Sequence, residues 1–63
     1  MVLKGIVSSI EDGKVRVTFP DKENDVSAPL PMASHVTLLE VGNRVVVIFF
    51  SPGMVDGLII AKF

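Results

Sequence analysis

The stretch Ile10-Glu11-Asp12-Gly13-Lys14-Val15-Arg16-Val17-Thr18-Phe19 decides the fold. Asp-Gly between two runs rich in β-branched residues signals a hairpin, because both central residues of a type I′ turn need positive φ. Beyond the turn the alternation is clean. Val15, Val17 and Phe19 point one way and Arg16 and Thr18 the other, the period-2 pattern of a half-buried strand. Before the turn, Val2–Ile10 reads as the partner strand, and Gly5 inside it predicts a bulge or a sharp bend.

The rest of the chain continues in short strands. Pro20 stops the second one, and Asp21-Lys22-Glu23-Asn24-Asp25 forms a polar tip. Val26-Ser27-Ala28 is a short third strand, ended by Pro29-Leu30-Pro31, where two prolines forbid helix and favour an extended edge segment. Met32–Leu39 is read as irregular or extended, since Val36 and Thr37 are poor helix formers. Glu40-Val41-Gly42-Asn43 is a second turn, Arg44–Phe50 the strongest strand, Ser51–Asp56 a loop, and Gly57–Phe63 a closing strand. Five strands without a long helix, linker or repeat predict an all-β fold. Residues 1–63 form a single domain, a small five-stranded barrel of OB-like or SH3-like type.

Composition narrows the function. The chain has 63 residues, room for one small domain and not for a cleft between two lobes. With 49% hydrophobic residues against 21% charged, it is too apolar to be disordered. Six Lys and Arg against seven Asp and Glu leave a formal charge of −1, and the cations are scattered. Nucleic-acid binders usually present a basic face. The longest apolar run, Val45–Phe50, is six residues, far short of the ~20 of a membrane helix. Met1–Ile10 lacks the features of a signal peptide, so a soluble chain without a cleaved signal is expected. There is no cysteine, hence neither disulfide nor thiolate zinc site to staple so small a fold. An unusually apolar core, or burial against other chains, must supply that stability.

The strand Arg44–Phe50 points to the second source. Val45, Val47 and Phe49 form one face, and Arg44, Val46, Ile48 and Phe50 the other, so both are apolar where a barrel strand should be polar outside. In the last strand, Leu58 and Ile60 alternate with Ile59, Ala61 and Phe63. Either an irregular segment such as Met32–Leu39 folds back over the outer face, or other chains cover it. Exposed apolar patches mark association sites, so a subunit interface is expected at Val46, Ile48, Phe50 and Ile59.

Catalytic and cofactor chemistry is not expected. His35 is the only histidine and reads as a solvated loop residue, although three copies about a symmetry axis could hold a metal. The serines have no credible base. Asp21, Glu23 and Asp25 alternate as in a calcium loop, but the glycine and terminal glutamate of such a loop are missing. Gly-rich phosphate cradles are absent. Four Phe without Tyr or Trp give few stacking platforms, so a module binding single-stranded nucleic acid is the alternative reading.

The residues in order also resemble a known family. Gly5-Ile6-Val7-Ser8-Ser9, followed by Gly13-Lys14-Val15-Arg16-Val17-Thr18-Phe19-Pro20-Asp21, resembles the opening of the OB-fold domain of phage baseplate spike proteins, the baseplate assembly protein V group related to type VI secretion spikes. Ala28-Pro29-Leu30-Pro31 is similar to that domain's short proline turn, and Glu40-Val41-Gly42-Asn43-Arg44-Val45-Val46-Val47-Ile48-Phe49 to its central strand. Asp56-Gly57-Leu58-Ile59-Ile60 is similar to its closing loop and strand. The resemblance implies an OB barrel that forms a homotrimer between a tail hub and a spike. It would be a structural protein and virion component located in the phage tail, or in the bacterial cytoplasm if not phage-derived. Two departures stand out. The β-helical needle that usually follows is missing after Phe63, and no large aromatic lies near Pro29-Leu30-Pro31. A stand-alone relative, a hub or tail-tip accessory or a truncated prophage product is therefore expected, and piercing activity is not carried over.

Overall fold

A computed structural model describes residues 1–63. The hairpin forms where the turn chemistry places it. Strand β1 (Val2–Glu11) and strand β2 (Lys14–Phe19) pair antiparallel around Asp12 and Gly13, whose φ values are +50° and +77°. Val15, Val17 and Phe19 are fully buried, as the alternation requires. The bulge lies elsewhere than expected. Gly5 sits in regular register opposite Val45, and the extra residue is Ser8, between the pairs Val7–Val17 and Ser9–Arg16. Gly5 serves close packing instead. A methyl there would collide with Val17 Cγ1 and stand 2.9 Å from the Thr18 carbonyl oxygen. A strand glycine signals either a bulge or a close approach, and here the approach is what β2 imposes.

After β2, a short 3₁₀ turn (Pro20–Lys22) leads through Glu23 and Asn24, both at positive φ, into strand β3 (Asp25–Val26). β3 pairs with the end of β2 and begins and ends earlier than expected. The ladder continues through Ser27, which sits where the backbone alone no longer serves Val17. The Ser27 amide donates to the Val17 carbonyl at 2.8 Å, and the Val17 amide donates to Ser27 Oγ at 3.1 Å. Leu30 then exchanges two backbone bonds with Val15, at 2.8 and 2.9 Å.

Strands β4 (Arg44–Phe49) and β5 (Gly57–Lys62) complete one antiparallel sheet of order β3-β2-β1-β4-β5. Met32 bridges Ile59 in parallel sense, with the Ile59 amide donating to the Pro31 carbonyl and the Ala33 amide to the Ile59 carbonyl. Thus Leu30–Ala33 hydrogen-bonds to β2, next to one end of the sheet order, and then to β5 at the other end. Met32–Leu39 forms no helix or strand, in keeping with its poor propensities. It packs on the core through Val36, Met32, Ala33 and Leu39, while His35, Thr37 and Leu38 border Ala61 and Lys62 of β5.

The core is ten residues, drawn from the inward positions of β1, β2, β4 and β5 together with Leu30 and Val36. Phe19 and Phe49 meet edge to face in it, 5.7 Å between centroids, the arrangement that aromatic quadrupoles favour. Ile59 belongs to this core with 0% exposure. A bulge at Ile60 shifts the register, so that Val46 faces Ala61 but Val47 faces Ile59. Ile59 and Ala61, which strict alternation would put on one face, therefore lie on opposite faces. The placement of Ile59 at a subunit interface is corrected accordingly. No helix is long and apolar enough to cross a membrane.

Candidate assembly surface

Residues directly opposite in an antiparallel ladder share a face, so the registers define the outside of the sheet. Val2, Ile48 and Leu58 form one row across β1, β4 and β5. Lys4, Val46 and Ala61 form the next, and Ile6 faces Arg44 beyond it. Val46, Ile48, Leu58 and Ala61 are half-buried, whereas Val2 is exposed. The chain leaves β4 at Phe50, whose amide donates to the Asp56 carbonyl at 2.9 Å while 63% of the residue remains exposed. Phe49, Phe50, Met1, Ser51 and Pro52 line a shallow cavity of about 290 Å³ there. At the other end the Arg44 guanidinium lies over the Phe63 ring, 5.1 Å from its centroid, a cation–π contact.

Of the four residues expected at the interface, Val46 and Ile48 are brought to one outer face, Phe50 follows exposed just beyond the end of β4, and Ile59 lies in the core. Val2 completes the apolar row, and sequence reasoning missed it because its partner, Ile48, is fixed only by the β1–β4 register. The charge on this face is cationic, from Lys4 and Arg44 at its margin.

The polar candidates do not assemble into a reactive centre. The His35 ring donates from Nε2 to the Ile60 carbonyl at 2.8 Å and is exposed. Asp21, Glu23 and Asp25 are exposed, and no three His, Cys, Asp or Glu side chains converge as metal ligands would. Ser8 donates to the Arg16 carbonyl, and Ser27 Oγ donates to the Ala28 carbonyl while accepting from Val17. Every buried side-chain polar atom has a partner, so no orphaned group points toward a ligand. Comparison with protein-family models, with curated proteins and with solved structures gave no match.

Proposed function

We propose that this chain is a non-catalytic building block: a single OB-type barrel that self-associates within a phage or prophage tail baseplate or spike, or a related contractile injection assembly. The observation that carries the reading is the apolar outer face, where the row Val2–Ile48–Leu58 runs on toward an exposed Phe50. A domain of this size sits near break-even on its own core, and burying that face against copies of itself relieves both the exposure and the marginal stability. A homotrimer is the form that the family resemblance implies, with hub or spike proteins as neighbours and the virion tail as its location.

Two features support the barrel. The segment after β3 bonds to β2 through Leu30 and to β5 through Pro31 and Ala33, the latter in parallel sense. A backbone link from β2 through residues 30–33 to β5, added to the sheet order, supports reading the fold as a five-stranded, partly open barrel. The motifs that carry the resemblance also fall on structural joints: Gly13–Pro20 is the hairpin's second arm, and Glu40–Phe49 is the turn and strand that present the outer face.

Sedimentation across a micromolar concentration series tests this. An oligomer is expected, and Phe50→Lys or Ile48→Asp should dissociate it while the far-ultraviolet spectrum stays that of a sheet protein. A stable monomer would overturn the assembly role, and unchanged mass in both variants would move the interface elsewhere. Salt-sensitive binding of an oligonucleotide would favour the alternative reading as a nucleic-acid module.

A further inference from the structure

Two aspartates of this chain are each followed by glycine, in Asp12-Gly13 and Asp56-Gly57, and the fold holds the two peptides differently. An Asp-Gly step is open to succinimide closure, because glycine has no Cβ to shield the attacking nitrogen. Closure also needs that nitrogen to swing toward its neighbour's carboxyl, which turns the whole Asp–Gly peptide about the aspartate's ψ. What restrains the peptide therefore decides whether the reaction occurs in the folded domain.

At Asp12 nothing restrains it. The peptide from Asp12 to Gly13 is the middle of the hairpin turn, and both residues are exposed. Neither the Asp12 carbonyl nor the Gly13 amide makes a backbone hydrogen bond, and a Cβ at Gly13 would meet no atom within 4 Å. The peptide can turn while Glu11 and Lys14, paired on either side of it, stay in place. Asp56 is exposed too, but its peptide is anchored at both ends. The Asp56 carbonyl accepts from the Phe50 amide at 2.9 Å. Gly57 is buried at the start of β5, so tightly that a Cβ would lie 2.6 Å from Phe49 Cδ1. Rotation there breaks the hydrogen bond and lifts the end of β5 from a core phenylalanine. Asn24 and Asn43 precede Asp25 and Arg44, whose side chains shield the nitrogen.

We propose that Asp12 is a modification site, the residue at which the folded domain converts with age to isoaspartate, and that packing protects Asp56. The Gly13 nitrogen bonds to Cγ of the protonated Asp12 carboxyl, and the nitrogen's proton leaves with the carboxyl's hydroxyl as water, closing a succinimide. Water then opens the ring. Attack at Cγ breaks the new bond and restores aspartate. Attack at the main-chain carbonyl carbon breaks that carbon's bond to nitrogen and leaves the chain running through Cγ, with no atom gained or lost overall. The main chain is then one carbon longer between Glu11 and Lys14. Turn type and loop length fix a hairpin's register, so the modified turn no longer fits and the β1–β2 hairpin loosens. This chemistry is independent of the assembly role proposed above.

The test keeps the folded protein at neutral pH for weeks below its melting temperature, beside a sample held unfolded in urea. Peptide mapping by electron-transfer mass spectrometry distinguishes isoaspartate from aspartate at each position. In the folded sample Asp12 should convert roughly tenfold or more faster than Asp56, the difference between opening a turn and opening a packed strand end. In urea the two should convert at similar rates, since both are Asp-Gly. The fraction modified at Asp12, separated by chromatography, should melt several degrees below the unmodified protein. Equal rates in the folded sample, no conversion at Asp12, a difference that persists in urea, or a modified fraction that melts like the parent would overturn the proposal.

Discussion

Gly5→Ala should destabilise this domain although it adds only a methyl. The backbone at Gly5 is ordinary β1 strand, so the usual benefit of replacing glycine applies, about 0.4–1 kcal/mol from a stiffer unfolded chain. Against it stands the collision. The new Cβ would overlap Val17 Cγ1, lie 2.9 Å from the Thr18 carbonyl oxygen and 3.0 Å from Phe19 Cδ1, whereas carbon pairs settle near 3.5–4.0 Å. Val17 and Phe19 are fully buried, and the Val17 backbone is held by hydrogen bonds to the Ser27 amide and hydroxyl, so neither can retreat into solvent. Overpacking of this kind costs about 1–3 kcal/mol. The net loss is about 1–2 kcal/mol, which at roughly 4–8 °C per kcal/mol lowers the melting temperature by about 5–15 °C. Circular dichroism melts and urea titrations should agree on that loss. The decisive control is Gly5→Ala in a Val17→Ala background, where the colliding methyl is gone and the substitution should cost measurably less. A melting temperature equal to or above that of the parent, or the same loss in both backgrounds, would refute the packing argument.

Ser27→Ala leaves the buried Val17 amide without its acceptor and should cost about 1–3 kcal/mol in urea titration, with faster hydrogen exchange at Val17. Val47→Asp, at a fully buried position in β4, should abolish the folded spectrum by burying an unpaired charge, while Val46→Asp on the opposite face should leave it folded. Glu11→Gln removes the one ion pair, Arg16 Nε to Glu11 Oε1 at 3.3 Å between exposed side chains, and should change stability by less than about 0.5 kcal/mol.

What could be read from the sequence was what depends on neighbours in the chain. Asp12-Gly13 and the alternation of Val15, Val17 and Phe19 specify the hairpin locally, and two prolines make residues 29–31 extended whatever they pair with. The two bulges were not legible, because Ser8 and Ile60 are ordinary strand residues and each extra residue is defined only against a partner strand. That is why Ile59 was expected outside and lies in the core. Ser27 could be weighed only as a nucleophile lacking a base. Its task, supplying an acceptor to Val17 ten residues back, exists only once β2 and β3 meet. The bond from residues 31–33 to β5 spans some 26 residues and has no sequence signal at all. On the outer face, the double apolarity of β4 revealed Val46, Ile48 and Phe50, while Val2 became visible only through register.

Val46, Ile48 and Phe50 are not equivalent, and their difference tells where the energy of the proposed association would come from. A stable interface takes about 800 Å² from each partner, roughly a fifth of the 3891 Å² this chain exposes, so nearly one whole side of the molecule has to be used. Val46 and Ile48 are already half-buried within the chain and have less left to gain. Phe50 has most of its surface still in water. A Phe side chain buries 150–250 Å² in all, so covering the remainder should release about 3 kcal/mol at roughly 25 cal/mol per Å², about two orders of magnitude in affinity. In the proposed assembly Phe50 is therefore the expected anchor, with Val46 and Ile48 as the flat ground around it. Phe50→Ala should weaken self-association about 100-fold and Val46→Ala only a few-fold in the same sedimentation series. The reverse order would mean that copies meet over the middle of the sheet, with Phe50 left at the rim.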